Sequence, residues 1–127
     1  MLKKLLQVHE IQFDSLCNDK KTEGQVKDLL SSLIQTKGIR LPIASTILHF
    51  YNPDTFPIID QRAYRELYKK EAPRFTEQNS YDIYIKYIKD CYKYWEDYCE
   101  GIGIEFSDID KVLYQLDKER NNTVKGY

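Results

Sequence analysis

Between residues 22 and 36, apolar side chains recur at Val26, Leu29, Leu30, Leu33 and Ile34, the i, i+3, i+4, i+7 and i+8 spacing of one helix face. The run stops at Lys37-Gly38, and Pro42 follows four residues after the glycine. Glycine readily takes the left-handed conformation that closes a helix. Proline suits the first turn of the next one, where its missing N–H would have had no intrahelical partner. A helix, a tight turn and a second helix are therefore expected here, and the rest of the chain must pack around them. Thr22, three residues before Gln25, has the spacing of a capping box and sets the expected start of the first of these helices.

The remaining segments follow the same period. Leu2, Leu5, Leu6, His9, Phe13 and Leu16 make one face of an N-terminal helix, with Val8 and Ile11 off that face, and Asn18-Asp19-Lys20-Lys21 reads as a turn. The helix from 42 to about 51 is apolar almost all round (Ile43, Ala44, Ile47, Leu48, Phe50), which predicts a central, buried position. Pro53 and Pro57 make 52–59 an extended connection, and Asp60 opens a helix that ends before Pro73. Ser80 opens the longest helix, to about 100, with a stripe of Tyr84, Ile88, Cys91, Trp95 and Tyr98, closed by Gly101 and Gly103. Ser107, with Asp110 three residues on, opens a last helix bearing Ile109, Val112, Leu113 and Leu116. The tail 121–127 carries no pattern and is expected to fray. The expectation is an all-α protein, a single compact domain of five to six helices over residues 1–120.

Composition narrows function. The length of 127 residues suits one domain, and 42% hydrophobic with 31% charged residues lies away from disordered chains. The formal net charge of -1 argues against a polybasic nucleic-acid binder, yet residues 61–93 carry eight basic against five acidic side chains and 94–127 four against eight. A local basic face around Lys37, Arg40, Arg62, Arg65, Lys69 and Lys70 is compatible with that division, as is a plain solvated helix face. No apolar run reaches the roughly 20 residues a membrane helix needs, so no membrane partner and a cytoplasmic location are expected. The three cysteines, Cys17, Cys91 and Cys99, lack CxxC spacing and are expected as buried free thiols. His9 and His49 lack partners at metal-ligand spacing, so they are expected as core or interface residues, with no metal and no cofactor. Of the 11 tyrosines, Tyr84 and Tyr98 fall on the long helix's stripe and Tyr81, Tyr87, Tyr92 and Tyr94 on its flanks. Packing accounts for these, with base stacking as the alternative for exposed ones.

The stretch Gly38-Ile39-Arg40-Leu41-Pro42-Ile43-Ala44-Ser45, followed 22 residues after Gly38 by the end of Pro57-Ile58-Ile59-Asp60, resembles the helix-hairpin-helix core of the base-excision DNA glycosylase superfamily. That superfamily includes endonuclease III, the adenine glycosylase and the 8-oxoguanine glycosylases. The resemblance covers about residues 22–70. It implies that Lys37, Gly38, Ile39, Arg40 and Arg62 contact DNA, and that Asp60 stands at the catalytic aspartate's position. Independently of the family, a turn between two helices exposes backbone N–H groups suited to a phosphate, and Lys37 and Arg40 would add charge. An aspartate at a helix start caps it, for roughly 1 kcal/mol. A carboxylate there would also stabilise the positive charge developing on a sugar as its base leaves, and orient or deprotonate the attacking water.

The departures from the family pattern bear on mechanism. Pro42 occupies the position at which bifunctional members carry a nucleophilic lysine, so Schiff-base lyase chemistry lacks its residue. Arg40 replaces the second hairpin glycine, no iron–sulfur cysteines follow, and the chain lacks much of the second helical lobe. Two functions stay open. One is a monofunctional glycosylase in which Asp60 assists hydrolysis of an N-glycosidic bond. The other is a non-catalytic helix-hairpin-helix module that binds a DNA backbone or a protein partner. A homodimer would be one way to supply the missing pocket wall.

Overall fold

The structure, a computed structural model, describes residues 2–121. Seven α-helices follow one another: α1 (Leu2–Gln7), α2 (Phe13–Asn18), α3 (Lys20–Gln35), α4 (Leu41–Tyr51), α5 (Gln61–Tyr68), α6 (Ser80–Tyr98) and α7 (Ile109–Arg120). Short 3-10 turns lie at Val8–Glu10, Glu100–Ile102 and Phe106–Asp108, and there is no strand among the described residues. The all-α expectation holds. The count among the described residues is seven rather than five to six. Of the tail expected at 121–127, Asn121 follows α7 as its C-cap and the remainder lies outside the described residues.

The extra helix comes from the N-terminus, where the single helix expected over 2–16 is broken into α1 and α2. Val8, off the apolar face, is buried at the break, and His9, placed on that face, is exposed. The carbonyls freed by the break are taken up by Asn52, whose side-chain amide donates to Val8 O at 2.9 Å and Ile11 O at 2.7 Å. The Thr55 hydroxyl donates to Ile11 O as well, at 2.8 Å. Burying Val8 and satisfying two carbonyls through a residue 44 positions away outweighs continued local helix.

Helix α3 starts two residues earlier than the capping-box spacing suggests. Asp19 is its N-cap, accepting from the Lys21 N–H and the Thr22 hydroxyl, and Thr22 is buried inside the helix. Helix α4 has nearly the expected bounds but not the expected burial. Leu41, Ala44, Ser45 and Leu48 face the core, whereas Ile43 is 50% and Phe50 79% exposed. In α6 the buried side chains are Tyr84, Tyr87, Ile88 and Cys91 together with Ser80, so Tyr87 has moved from flank to core. Tyr98, at the end of the stripe, is 66% exposed. All three cysteines are free; Cys91 and Cys99 are buried and Cys17 half-buried.

The core gathers Leu29, Leu30, Leu33, Leu48, Ile88 and Leu113 from α3, α4, α6 and α7 around Phe56 and Ile59. These last two belong to an extended strand of chain that runs between the helices with no sheet partner. Its backbone polar groups are met by side chains instead. His49 Nδ1 lies 2.8 Å from Phe56 O, and the Tyr84 hydroxyl donates to Pro57 O at 2.9 Å. Asp110 accepts the Ile58 N–H at 2.7 Å, the Tyr87 hydroxyl donates to Ile58 O at 2.8 Å, and Ser45 Oγ accepts the Ile59 N–H at 3.0 Å. Helices α4, α6 and α7 thus hold the 56–59 segment at fixed height, and the residue that emerges from it is Asp60.

Candidate functional site

The turn between α3 and α4 is closed by the Ile39 N–H donating to Thr36 O at 3.0 Å. Gly38, third in that turn, has φ +85, which strains any side-chain-bearing residue; no atom lies within 4 Å of where a Cβ would sit. Glycine is therefore required here by the backbone, and the space above it is open. Lys37 and Arg40 flank it, both exposed, and neither has an ionic partner among the described residues. Arg40 is also the residue before α4, with its carbonyl accepting the Ala44 N–H.

Two recesses adjoin this turn. An open groove of about 540 Å³ is lined by Lys37, Gly38, Ile39 and Arg40 on one side and by Arg74 and Phe75 on the other. Arg74 lies in the connection between α5 and α6, and the Asn79 side-chain amide holds its carbonyl at 3.0 Å. A smaller recess of about 230 Å³ is walled by Gly38, Arg40, Pro42, Ile43, Gln61 and Phe75, with chiefly apolar surface. Gly38, Arg40 and Phe75 line both, so the recesses adjoin, and Gln61, the residue following Asp60, lines the second.

Asp60 is the N-cap of α5. Its Oδ1 accepts the Ala63 N–H at 2.7 Å, and its carbonyl accepts the Tyr64 N–H. Half-buried, its carboxyl is pushed above the usual aspartate range by loss of solvent; the Ala63 N–H opposes this and the charge of nearby Asp110 adds to it. Asp110 is buried, and its second oxygen, Oδ1, has no hydrogen-bond partner among the described residues. His49 Nδ1 lies 3.6 Å from Asp110 Oδ2. Asp60, Asp110 and His49 thus gather around the two ends of the 56–59 segment.

Arg62 is placed elsewhere. Its guanidinium reaches α7, 3.3 Å from Asp117 Oδ2 and 2.9 Å from Asn121 O, and lies over the Tyr114 ring. Lys37, Gly38, Ile39 and Arg40 are brought together by the turn; Asp60 lines neither recess and approaches them only through its neighbour Gln61, while Arg62 faces α7. Sequence reasoning missed Arg74 and Phe75 opposite the turn. Their signal was a basic–aromatic pair in a non-helical connection, inside the segment with a basic excess. No group of three His, Cys, Asp or Glu side chains among the described residues could hold a metal ion, and no helix there is long and apolar enough to cross a membrane. Compared with family models, curated proteins and solved structures, the chain matches none.

Proposed function

We propose that this chain is a helix-hairpin-helix protein of the DNA glycosylase type that grips a nucleic-acid backbone at the α3–α4 turn. The observation that supports this reading is the pair of exposed cations, Lys37 and Arg40, on either side of Gly38, above which the space is open. A phosphate can approach the backbone there, and two charges with no ionic partner among the described residues are available to it. The test is duplex DNA binding followed by fluorescence anisotropy across a salt series. Each phosphate contact contributes about 0.9 to the slope of log K against log salt, so Lys37→Ala with Arg40→Ala should flatten the slope by about 1.8 and weaken binding. Salt-independent behaviour, or no change in the double variant, overturns the proposal.

A second reading, base excision, is favoured by Asp60. It is held half-buried at the head of α5 by the Ala63 N–H, and the residue that follows it, Gln61, lines a recess beside the turn. In such a reaction the Asp60 carboxylate stabilises the cationic sugar as the base departs with the bonding electron pair. Water then adds at the sugar carbon and gives up its proton, with Asp60 as the base. Pro42 leaves no lysine amine for a covalent intermediate at that place.

A further inference from the structure

The groove and the smaller recess differ in chemistry and share three wall residues. The groove presents Lys37, Arg40 and Arg74, none with an ionic partner among the described residues, and its one carboxylate, Glu77, is engaged by Gln35 Nε2 at 3.3 Å. The recess is walled by Pro42, Ile43 and half-buried Phe75, with the Gln61 amide as its one uncharged polar side chain. At about 230 Å³ it is smaller than the roughly 300–1,000 Å³ that takes a drug-sized ligand. Its size suits a single planar ring system.

We propose that the ligand at this turn is single-stranded nucleic acid, one nucleotide spanning both recesses: its phosphate between Lys37, Arg40 and Arg74, its unpaired base against Pro42, Ile43 and Phe75. The inference rests on the backbone-binding reading and adds the strandedness of the ligand. Three cations facing one groove select a polyanion. A polyanion alone has no use for the apolar recess, and an apolar peptide has none for three cations. A nucleotide supplies anion and flat apolar face a few ångströms apart, as do two recesses with Gly38, Arg40 and Phe75 in common. Bases paired and stacked in a duplex cannot enter the recess, whereas an unpaired base can, and stacking on an aromatic ring tolerates any base. The Gln61 amide can both donate and accept, so it can hydrogen-bond a base edge without dictating its identity.

The experiment compares a labelled short oligothymidine strand with the duplex it forms with oligoadenine, using the full chain. The single strand should bind about five-fold or more tightly than the duplex, and Phe75→Leu should weaken single-strand binding by about five-fold or more and duplex binding by less, so that the preference for the single strand narrows. Leucine keeps apolar volume in the half-buried site, and Phe75→Trp, which keeps a stacking face, should retain the preference. Arg74→Ala should weaken both forms. Equal affinity for the two forms, or a Phe75→Leu variant that binds the single strand as before, overturns the base seat. The salt-dependent contribution of Lys37 and Arg40 would then still support backbone binding. Loss of all oligonucleotide binding overturns both proposals. Displacement of the strand by polyglutamate at matched charge concentration overturns the nucleotide in favour of an acidic protein segment.

Discussion

A carboxylate that caps a helix has an oxygen committed to the backbone and a charge favoured by the helix dipole, and Asp60 meets both conditions through the Ala63 N–H. Burial and the neighbouring Asp110 act in the opposite direction and hold its carboxyl above the ordinary range. The two substitutions that remove its charge therefore separate its roles. Asparagine caps as well as aspartate, so Asp60→Asn should leave stability within about 0.5 kcal/mol, whereas Asp60→Ala should cost about 1 kcal/mol. On the base-excision reading the ionised form is the active one. Base release should then fall as pH drops through the raised folded-state value, on the alkaline side of where an ordinary aspartate would titrate, and should vanish in Asp60→Asn. Base release by Asp60→Asn at the parent rate removes the catalytic role and leaves the cap.

At the level of elements, the extended 56–59 segment is held by side chains from three helices rather than by strand pairing. Removing one of these partners leaves a buried backbone group without a hydrogen bond. Ser45→Ala orphans the Ile59 N–H and Tyr87→Phe the Ile58 carbonyl, each at an expected cost of about 1–3 kcal/mol in chemical unfolding. Both act on adjacent residues of one segment, so the double variant should fall short of the sum. A full sum means the residues are held independently. The segment also marks where sequence reading succeeds. Pro53 and Pro57 announce a break between helices because they act locally, as do the 26–34 periodicity, Gly38 and the cap at Asp60, although of the stretch expected to be extended only 56–59 is so and 52–55 folds into a turn closed on Asn52 O. The break between α1 and α2 was hidden because its stabilising partner, Asn52, lies far along the chain. The site divides in the same way. Lys37 to Arg40 were legible as one turn, while Arg74 and Phe75 face that turn through the packing of α5, α6 and their connection, which no local spacing encodes.

Across the whole molecule, the uneven charge finds its counterpart in the packing of α5 against α7. The basic excess of 61–93 and the acidic excess of 94–127 meet where Arg65 grips Asp117 with Nε and Nη2, each at 2.8 Å. Arg62 joins Asp117 from one side, and buried Glu66 pairs with Lys69 of its own turn and with Arg120 of α7. Thus the -4 end is partly neutralised inside the fold, and Arg62, Arg65 and Lys69 are drawn away from the basic surface that the sequence suggested. Asp117 is buried, and the Arg65 hydrogen bonds hold its carboxyl below the ordinary aspartate value. A carboxylate with a depressed folded-state pKa stabilises the fold above its unfolded value, near pH 4, and that contribution disappears as pH falls through the folded-state value. Asp60, raised in the fold, has the opposite sign: its protonation on the way down from neutral pH favours the folded state. Thermal melting should accordingly change little between pH 7 and about 5, then fall steeply below about 4. Asp117→Asn leaves Arg65 without its buried counter-charge. It should lose about 3–5 kcal/mol at neutral pH and show a flatter acid limb than the parent. An acid limb as steep as the parent's would place the acid sensitivity in other carboxylates and remove the α5–α7 pair as the tie between the middle of the chain and its end.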